Sequence, residues 1–368
     1  MTGGTVTYAI AGGFTQSGTA GKEGAGNVVN ITNISDGFGN SALIYGGVTD
    51  VGSADYNTVT ISGTTYTGTG VFKAEAGHTE SGGASHNTVT VSSSSLDNVN
   101  INGAFSNGGS GDLTYNSVTV TDSTLTASSE SNDVITGADA RGSGTLDHNS
   151  IVIDHSNVNS QIIRGVDRSS DEEGVITNNS VEIKNGSVVT SEVQGAYQRY
   201  GLASHNTVSV SDSTVNNCIL GSWIRVKGNA ENNGVTITNS TVSDAVLGSV
   251  TVDGYAAGNS VLLNGTSSVT DAVYGAQSGA YSDGTVGAAG NSVTVTDQAS
   301  AAVVYGGYGK STSVAGNSVI YDSTAENQTG MKIYGGYSRD GNVGQEDSVT
   351  LGENTYEGSN TVSVTGSG

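Results

Sequence analysis

Apolar and hydroxyl-bearing residues alternate in short runs that recur at a steady distance along the chain. Asn116-Ser117-Val118-Thr119-Val120-Thr121 is the plainest of them. Val118 and Val120 fall on one face, while Ser117, Thr119 and Thr121 fall on the other, which is the pattern of a half-buried β-strand. The Asn that opens each run recurs at Asn27, Asn57, Asn87, Asn116, Asn149, Asn179, Asn206, Asn233, Asn259, Asn291 and Asn317, with Asp347 in the twelfth place. From Asn27 to Asp347 the spacing averages about 29 residues, within the range of solenoid repeats. A second column keeps step, an Ile/Val-x-Gly segment that begins at Ile10 and then, 13 to 19 residues after each Asn, at Ile44, Val71, Ile101, Ile135, Ile163, Val193, Ile219, Val246, Val273, Val304 and Ile333. No run shows the 3.6-residue period of a helix.

Three short strands per repeat, the same residue types at the same places and no helical period predict an all-β fold. The expected form is a right-handed parallel β-helix, or β-solenoid, of about twelve rungs with about 29 residues each. A β-propeller blade needs roughly 40 residues in four antiparallel strands, more than the repeat holds. One period from end to end predicts a single domain over residues 1–368. The chain begins and ends within the pattern, at Tyr8-Ala9-Ile10 and at Asn360-Thr361-Val362, so it reads as a fragment of a longer protein. Identical Asn side chains stacked at a corner can hydrogen-bond from rung to rung, a structural ladder that comprises Asn57, Asn87, Asn116, Asn149, Asn179, Asn206, Asn233, Asn259, Asn291 and Asn317. The Gly of Ile/Val-x-Gly is expected at a bend where a Cβ would crowd the next rung. Lys73, which stands where that Gly belongs, suggests a local bulge.

Composition narrows the core. With 56 Gly, no Pro, 4 Phe and 1 Trp, a thick globular core cannot be filled, whereas a slim one lined by single Val, Ile and Leu residues can. The absence of Pro suits strands paired on both sides. A formal charge of −22, from 34 acids against 12 bases, opposes nucleic acid as a partner. No segment approaches the roughly 20 apolar residues of a membrane span, so direct insertion of this segment is not expected.

Catalytic chemistry finds no clear footing. The densest acidic run, Asp167 to Glu173, reads as a solvated loop, and no Ser/His/Asp arrangement stands out. His86, His148 and His205 directly precede a ladder Asn, a place filled elsewhere by Tyr56, Tyr115 or Gly258, which marks them as turn residues and not metal ligands. The expectation is therefore no enzyme, no cofactor and no metal.

The segments Ile44-Tyr45-Gly46-Gly47, Val304-Tyr305-Gly306-Gly307 and Ile333-Tyr334-Gly335-Gly336, set among Asn-Ser/Thr-Val-x-Val rungs in an acidic chain with one Cys, resemble the passenger domains of Gram-negative autotransporters, the type V secretion systems. The resemblance covers essentially the whole chain and is one of repeat style. It implies an adhesin-like β-helical rod, secreted or displayed at the bacterial surface and anchored in the outer membrane through a region outside this sequence. It also implies a part in virulence, a glycan or protein on a cell surface or matrix as partner, and self-association as a further expectation. The alternatives are a carbohydrate-active β-helix enzyme, a polysaccharide lyase or hydrolase, and a structural spacer.

Two outward surfaces suit such a partner. In Ile/Val-x-Gly the middle residue should point outward, which places Tyr45, Phe72, Tyr274, Tyr305 and Tyr334 in one aromatic column and Phe14, Phe105, Tyr197, Trp223, Tyr308 and Tyr337 in a second. Six of the 12 basic residues, Arg164, Arg168, Lys184, Arg199, Arg225 and Lys227, lie between positions 164 and 227. The candidate ligand-binding residues are accordingly Tyr197, Arg199, Trp223 and Arg225, expected to stack on neighbouring rungs, and the ladder Tyr274, Tyr305 and Tyr334.

Overall fold

The computed structural model describes residues 9–35, 37–127, 134–279, 286–326, 330–344 and 348–365. They form β-strands, turns and bends only, stacked as a parallel β-solenoid of about ten turns, near the twelve expected, with about 29 residues per turn. The chain packs as two compact units, residues 1–192 and 193–368, built on the same plan.

In the first unit the alternating runs become the strands Val28–Thr32, Thr58–Ser62, Thr88–Ser92, Ser117–Thr121, Ser150–Asp154 and Ser180–Lys184, all parallel and in register. Register is fixed by burial, because a slip of one residue would turn every apolar side chain to water. Val29, Val59, Val89, Val118, Ile151 and Val181 thus form one inner column, and the residues two further on form the next. The second unit repeats this with Thr207–Ser211, Gly234–Thr238, Ser260–Asn264, Ser292–Asp297, Ser318–Ser323 and Thr361–Val364.

The corner before this sheet is the Asn ladder. In the first unit, Nδ2 of Asn57, Asn87 and Asn116 donates to Oδ1 of Asn87, Asn116 and Asn149 at 2.9–3.0 Å, and the backbone N of each donates to the same oxygen. Asn206, Asn233, Asn259 and Asn291 do likewise in the second. All of them are fully buried. Asn317 donates at 2.9 Å to Asn360, 43 residues on, so Asn360 holds the next place in the ladder; Asp347, to which sequence spacing gave that place, lies outside the described residues.

The residue before each ladder Asn adopts a left-handed backbone. Tyr56, His86, Tyr115, His148 and Asn178 have φ between 54° and 58°, and His205, Asn232 and Gly258 repeat this in the second unit. The side chains therefore leave the turn in one direction and stack, Tyr56 on His86 at 4.5 Å, His86 on Tyr115 at 5.0 Å and Tyr115 on His148 at 4.8 Å. Stacking explains aromatic residues at a strained position as turn residues. In the second unit this column turns to Gly258, Gly290 and Gly316, and an antiparallel hairpin, Val349–Leu351 with Asn354–Tyr356, lays the Tyr356 ring over Gly290. A second corner carries a serine ladder absent from the sequence reading: the backbone N of Ser94, Ser123 and Ser156 donates to Oγ of Ser123, Ser156 and Ser187 at 3.1 Å.

Candidate functional site

The strand after each Ile/Val-x-Gly does not keep a simple alternation. In Ala42–Val51 the outward residues are Leu43 and Tyr45, then Val48 and Asp50, with Gly46 and Gly47 both turned inward. The phase slips at a crowded corner, which Ala76-Gly77, Gly103-Ala104, Gly137-Ala138 and Gly165-Val166 form in the turns that follow. A Cβ on Gly46 would stand 2.5 Å from the Ala76 carbonyl oxygen, and one on Gly47 would stand 2.5 Å from Oδ1 of Asn57. Residues three apart, which a straight strand would send to opposite faces, therefore meet outside the bend and make a strip two side chains wide on each turn.

In the first unit the strip holds Tyr45 with Val48, Glu75 with His78, Asn102 with Phe105, Thr136 with Asp139 and Arg164 with Asp167. Register corrects the phase assigned to the third turn from sequence. Ile44, Tyr45 and Gly47 pair with Ala74, Glu75 and Gly77, so the segment there is Ala74-Glu75-Ala76-Gly77 and not Val71-Phe72-Lys73. Phe72 is fully buried opposite Ala42 and Val99, not outward, and Lys73 pairs without a bulge between Leu43 and Asn100. A small Ala in the inner place hid the turn from a reading based on Ile and Val.

That turn carries a dense polar network. Glu75 is fully buried and accepts from Lys73 Nζ at 2.8 Å and Asn102 Nδ2 at 2.9 Å on one oxygen, and from His78 Nδ1 at 2.6 Å on the other. His78 Nε2 lies 3.1 Å from Glu80 Oε1, so both ring nitrogens face carboxylates that can only accept, which requires an imidazolium. Burial raises the Glu75 pKa, but the hydrogen bond and charge of His78 and those of Lys73 outweigh it and hold the group below its ordinary value. Burial likewise lowers His78, and Glu75 together with Glu80 overrides that and lifts it above its ordinary value. The His78 ring stacks on Phe105 at 5.1 Å, and the Lys73 ammonium lies 5.2 Å from the same ring.

Two turns further, Asp139 and Asp167 are paired across adjacent strands. Arg164 Nη1 holds Oδ2 of Asp167, while Oδ1 of both aspartates is sealed from solvent without a hydrogen-bond partner among the described residues. Burial first, then the charges of Asp167 and Glu75, push the Asp139 carboxyl up to about 8. Sequence reading placed Asp167 in a solvated loop, whereas it closes the strand Ile162–Arg168 and is 6% exposed; Asp171, Glu172 and Glu173 beyond it are exposed. Of the basic residues expected as a patch, Arg164 is paired with Asp167, Arg168 is buried against the Gly144 carbonyl and Lys184 lies 3.0 Å from Glu182.

In the second unit the strip becomes aromatic. Tyr274 stacks on Tyr305 at 4.8 Å and Tyr305 on Tyr334 at 5.0 Å, with ring planes 7° and 8° apart. Beside them Tyr308 stacks on Tyr337 at 5.4 Å, and the two columns meet edge to face at 5.6 to 5.8 Å. All five rings are half-buried, and none of their hydroxyls has a hydrogen-bond partner among the described residues. Burial, then Tyr305 and Asp271, push Tyr274 up to about 12.

The earlier part of this unit differs from its expected form. Tyr197 pairs with Trp223, but the rings meet edge-on at 5.6 Å and 81°, not stacked, and Tyr197 is 3% exposed. The register slips between Gln198 and Tyr200, so Arg199 and Arg225 do not form a column: Arg199 lies 5.8 Å from the Tyr200 ring, and Arg225 Nη1 donates to the Tyr197 hydroxyl at 3.4 Å. Arg225 itself is exposed, and Trp223 half-buried. Among the described residues no group of three or more His, Cys, Asp or Glu is arranged to hold a metal ion.

Comparison with protein-family models, with curated proteins and with solved structures finds no match to this chain.

Proposed function

We propose that this chain is an adhesin-like β-solenoid, displayed at a cell surface or secreted, that binds a glycan along the tyrosine strip formed by Tyr274, Tyr305, Tyr334, Tyr308 and Tyr337. The observation that carries this reading is the set of five half-buried phenols, ordered by their neighbours and with hydroxyls that have no partner among the described residues. Stacking alone accounts for one column of rings. It does not by itself call for a hydroxyl on every ring of both columns, where phenylalanine would pack as well. A chain of sugar rings offers apolar ring faces and hydroxyl donors in a repeat of its own, and the strip offers phenol edges and hydroxyls at each turn, with immobilisation already completed by the fold. The repeat style shared with autotransporter passengers supports the same reading.

The rival reading, a polysaccharide-cleaving enzyme, would draw on Asp139 and Asp167. Glycosidic cleavage needs a carboxyl group that reaches the leaving oxygen and a second that reaches the sugar ring. Oδ1 of Asp167 is sealed from solvent and its Oδ2 is held by Arg164, so of the two carboxyl groups that cleavage needs Asp167 offers a substrate no free oxygen. A glycan array probed with the whole chain tests the proposal: bound glycans that are lost on Tyr305→Ala, in a variant with an unchanged circular dichroism spectrum, support it. Binding unaffected by that change, or no binding to any glycan, contradicts it.

A further inference from the structure

We propose that Asp139 and Asp167 hold one proton between their Oδ1 atoms, and that the pair is a pH-sensitive latch joining two successive turns of the first unit.

The argument starts from the backbone. Val134–Ala140 and Ile162–Arg168 are parallel neighbours, and their register puts Asp139 directly beside Asp167, as it puts Thr136 beside Arg164. Adjacent strands lie about 4.8 Å apart, so two carboxylates in this arrangement are forced together by the ladder itself. Each presents a buried oxygen with no donor among the described residues. Leaving a buried charged acceptor unsatisfied is costly, and two of them side by side is worse because the charges repel. A single proton resolves both: the protonated carboxyl of one donates to the carboxylate of the other.

The surrounding charges decide which residue carries it. Arg164 Nη1 binds the other oxygen of Asp167. Asp139 has no such partner, and the residue paired with it on the other side is Phe105. On its own strand end, Arg141 is turned toward Asn107, with Nη1 donating to Oδ1 at 3.3 Å. From the strand beyond Phe105, Glu75 faces the same strip and adds a negative charge, while Lys73 is engaged by Glu75. Arg141 and Arg164 favour ionisation of Asp139, but burial, Asp167 and Glu75 outweigh them. The proton therefore sits on Asp139 at neutral pH and leaves in the mildly alkaline range, where the two turns gain a second negative charge with no donor between them.

The sign of the effect follows from proton binding. Asp139 titrates near 3.9 in an unfolded chain, so between that value and about 8 the folded state binds one more proton. Stability falls as pH rises through that interval and levels off above it. The test is a pH titration of the aspartate side-chain carboxyl carbons by NMR in the whole chain, with melting curves of the wild type and Asp139→Asn. The proposal expects an Asp139 midpoint between about 7 and 9, lowered by about one pH unit or more in Asp167→Asn. It also expects a melting advantage of Asp139→Asn that grows from about pH 5 to about pH 8 and is constant above. An Asp139 midpoint in the ordinary carboxylate range would overturn it. So would a midpoint indifferent to Asp167→Asn, or a melting difference independent of pH, which remains readable even where Asp167→Asn fails to fold.

Discussion

Oδ1 of Asn57 lies 2.5 Å from the point at which a Cβ on Gly47 would stand, so at this turn the amide of the ladder occupies the space that a side chain would need. The two sequence columns are thus halves of one corner. The same relationship recurs between Asn317 and Gly307 in the second unit.

Removing one ladder amide should unpair its neighbours. Asn116 accepts from the backbone N and Nδ2 of Asn87 and donates to Asn149 Oδ1 and the Ala84 carbonyl. With about 1 to 3 kcal/mol for each buried group left unsatisfied, Asn116→Leu should destabilise the protein by at least about 3 kcal/mol. Thr119→Ser, on the outward face, should stay within about 0.5 kcal/mol. Chemical denaturation of the two variants checks this.

A methyl group at Gly137 would stand 2.5 Å from the Gly165 carbonyl oxygen, a backbone atom fixed by the ladder. Gly137→Ala should therefore cost about 1 to 3 kcal/mol as overpacking. Melting curves should show this loss, whereas Ser117→Thr, half-exposed on the sheet, should melt like the wild type.

His78 supplies a second pH dependence, of known sign. Its folded pKa is raised by Glu75 and Glu80 against the opposing effect of burial. A raised histidine stabilises fully below its unfolded value, near 6.5, and loses that contribution as pH rises through its folded value. The melting difference between wild type and His78→Gln should be greatest below about pH 6.5 and shrink as pH rises above it. A difference that grows with pH would show that the imidazolium bridge between the two glutamates is absent.

Much of this was legible in the sequence because the ladder is a repeat of residue type. Val118 and Val120 announce their strand, and Asn116 its corner, in every turn. The charged strip was not legible, because Glu75 and His78 meet only when the chain bends between them, and a straight strand sends residues three apart to opposite faces. Ala74 in the inner column disguised that turn and made Phe72 look outward. The aspartate pair is invisible for another reason: Asp139 and Asp167 lie 28 positions apart, and only exact register brings them side by side. The 43-residue step to Asn360 comes from the hairpin Val349–Leu351 with Asn354–Tyr356, which lengthens that turn beyond the regular spacing on which Asp347 was placed.

Tyr197 should behave as core and Arg225 as surface. Tyr197→Ala removes a buried ring packed edge-on against Trp223 and should cost about 3 to 5 kcal/mol, as other buried aromatic truncations do. Arg225→Ala should change stability by no more than about 0.5 kcal/mol. Equal melting temperatures for the two variants would contradict the placement of the Tyr197 ring.

The central claim is that the tyrosine strip is a glycan-binding surface, and the most direct test is the dissociation constant of an array-selected glycan for three forms of the whole chain. For Tyr305→Ala with Tyr334→Ala, the account predicts affinity weakened by about tenfold or more, equivalent to roughly 1.4 kcal/mol. For Trp223→Ala with Arg225→Ala it predicts affinity equal to that of the wild type. Undiminished binding by the tyrosine variant, or loss confined to the Trp223 and Arg225 variant, would contradict it.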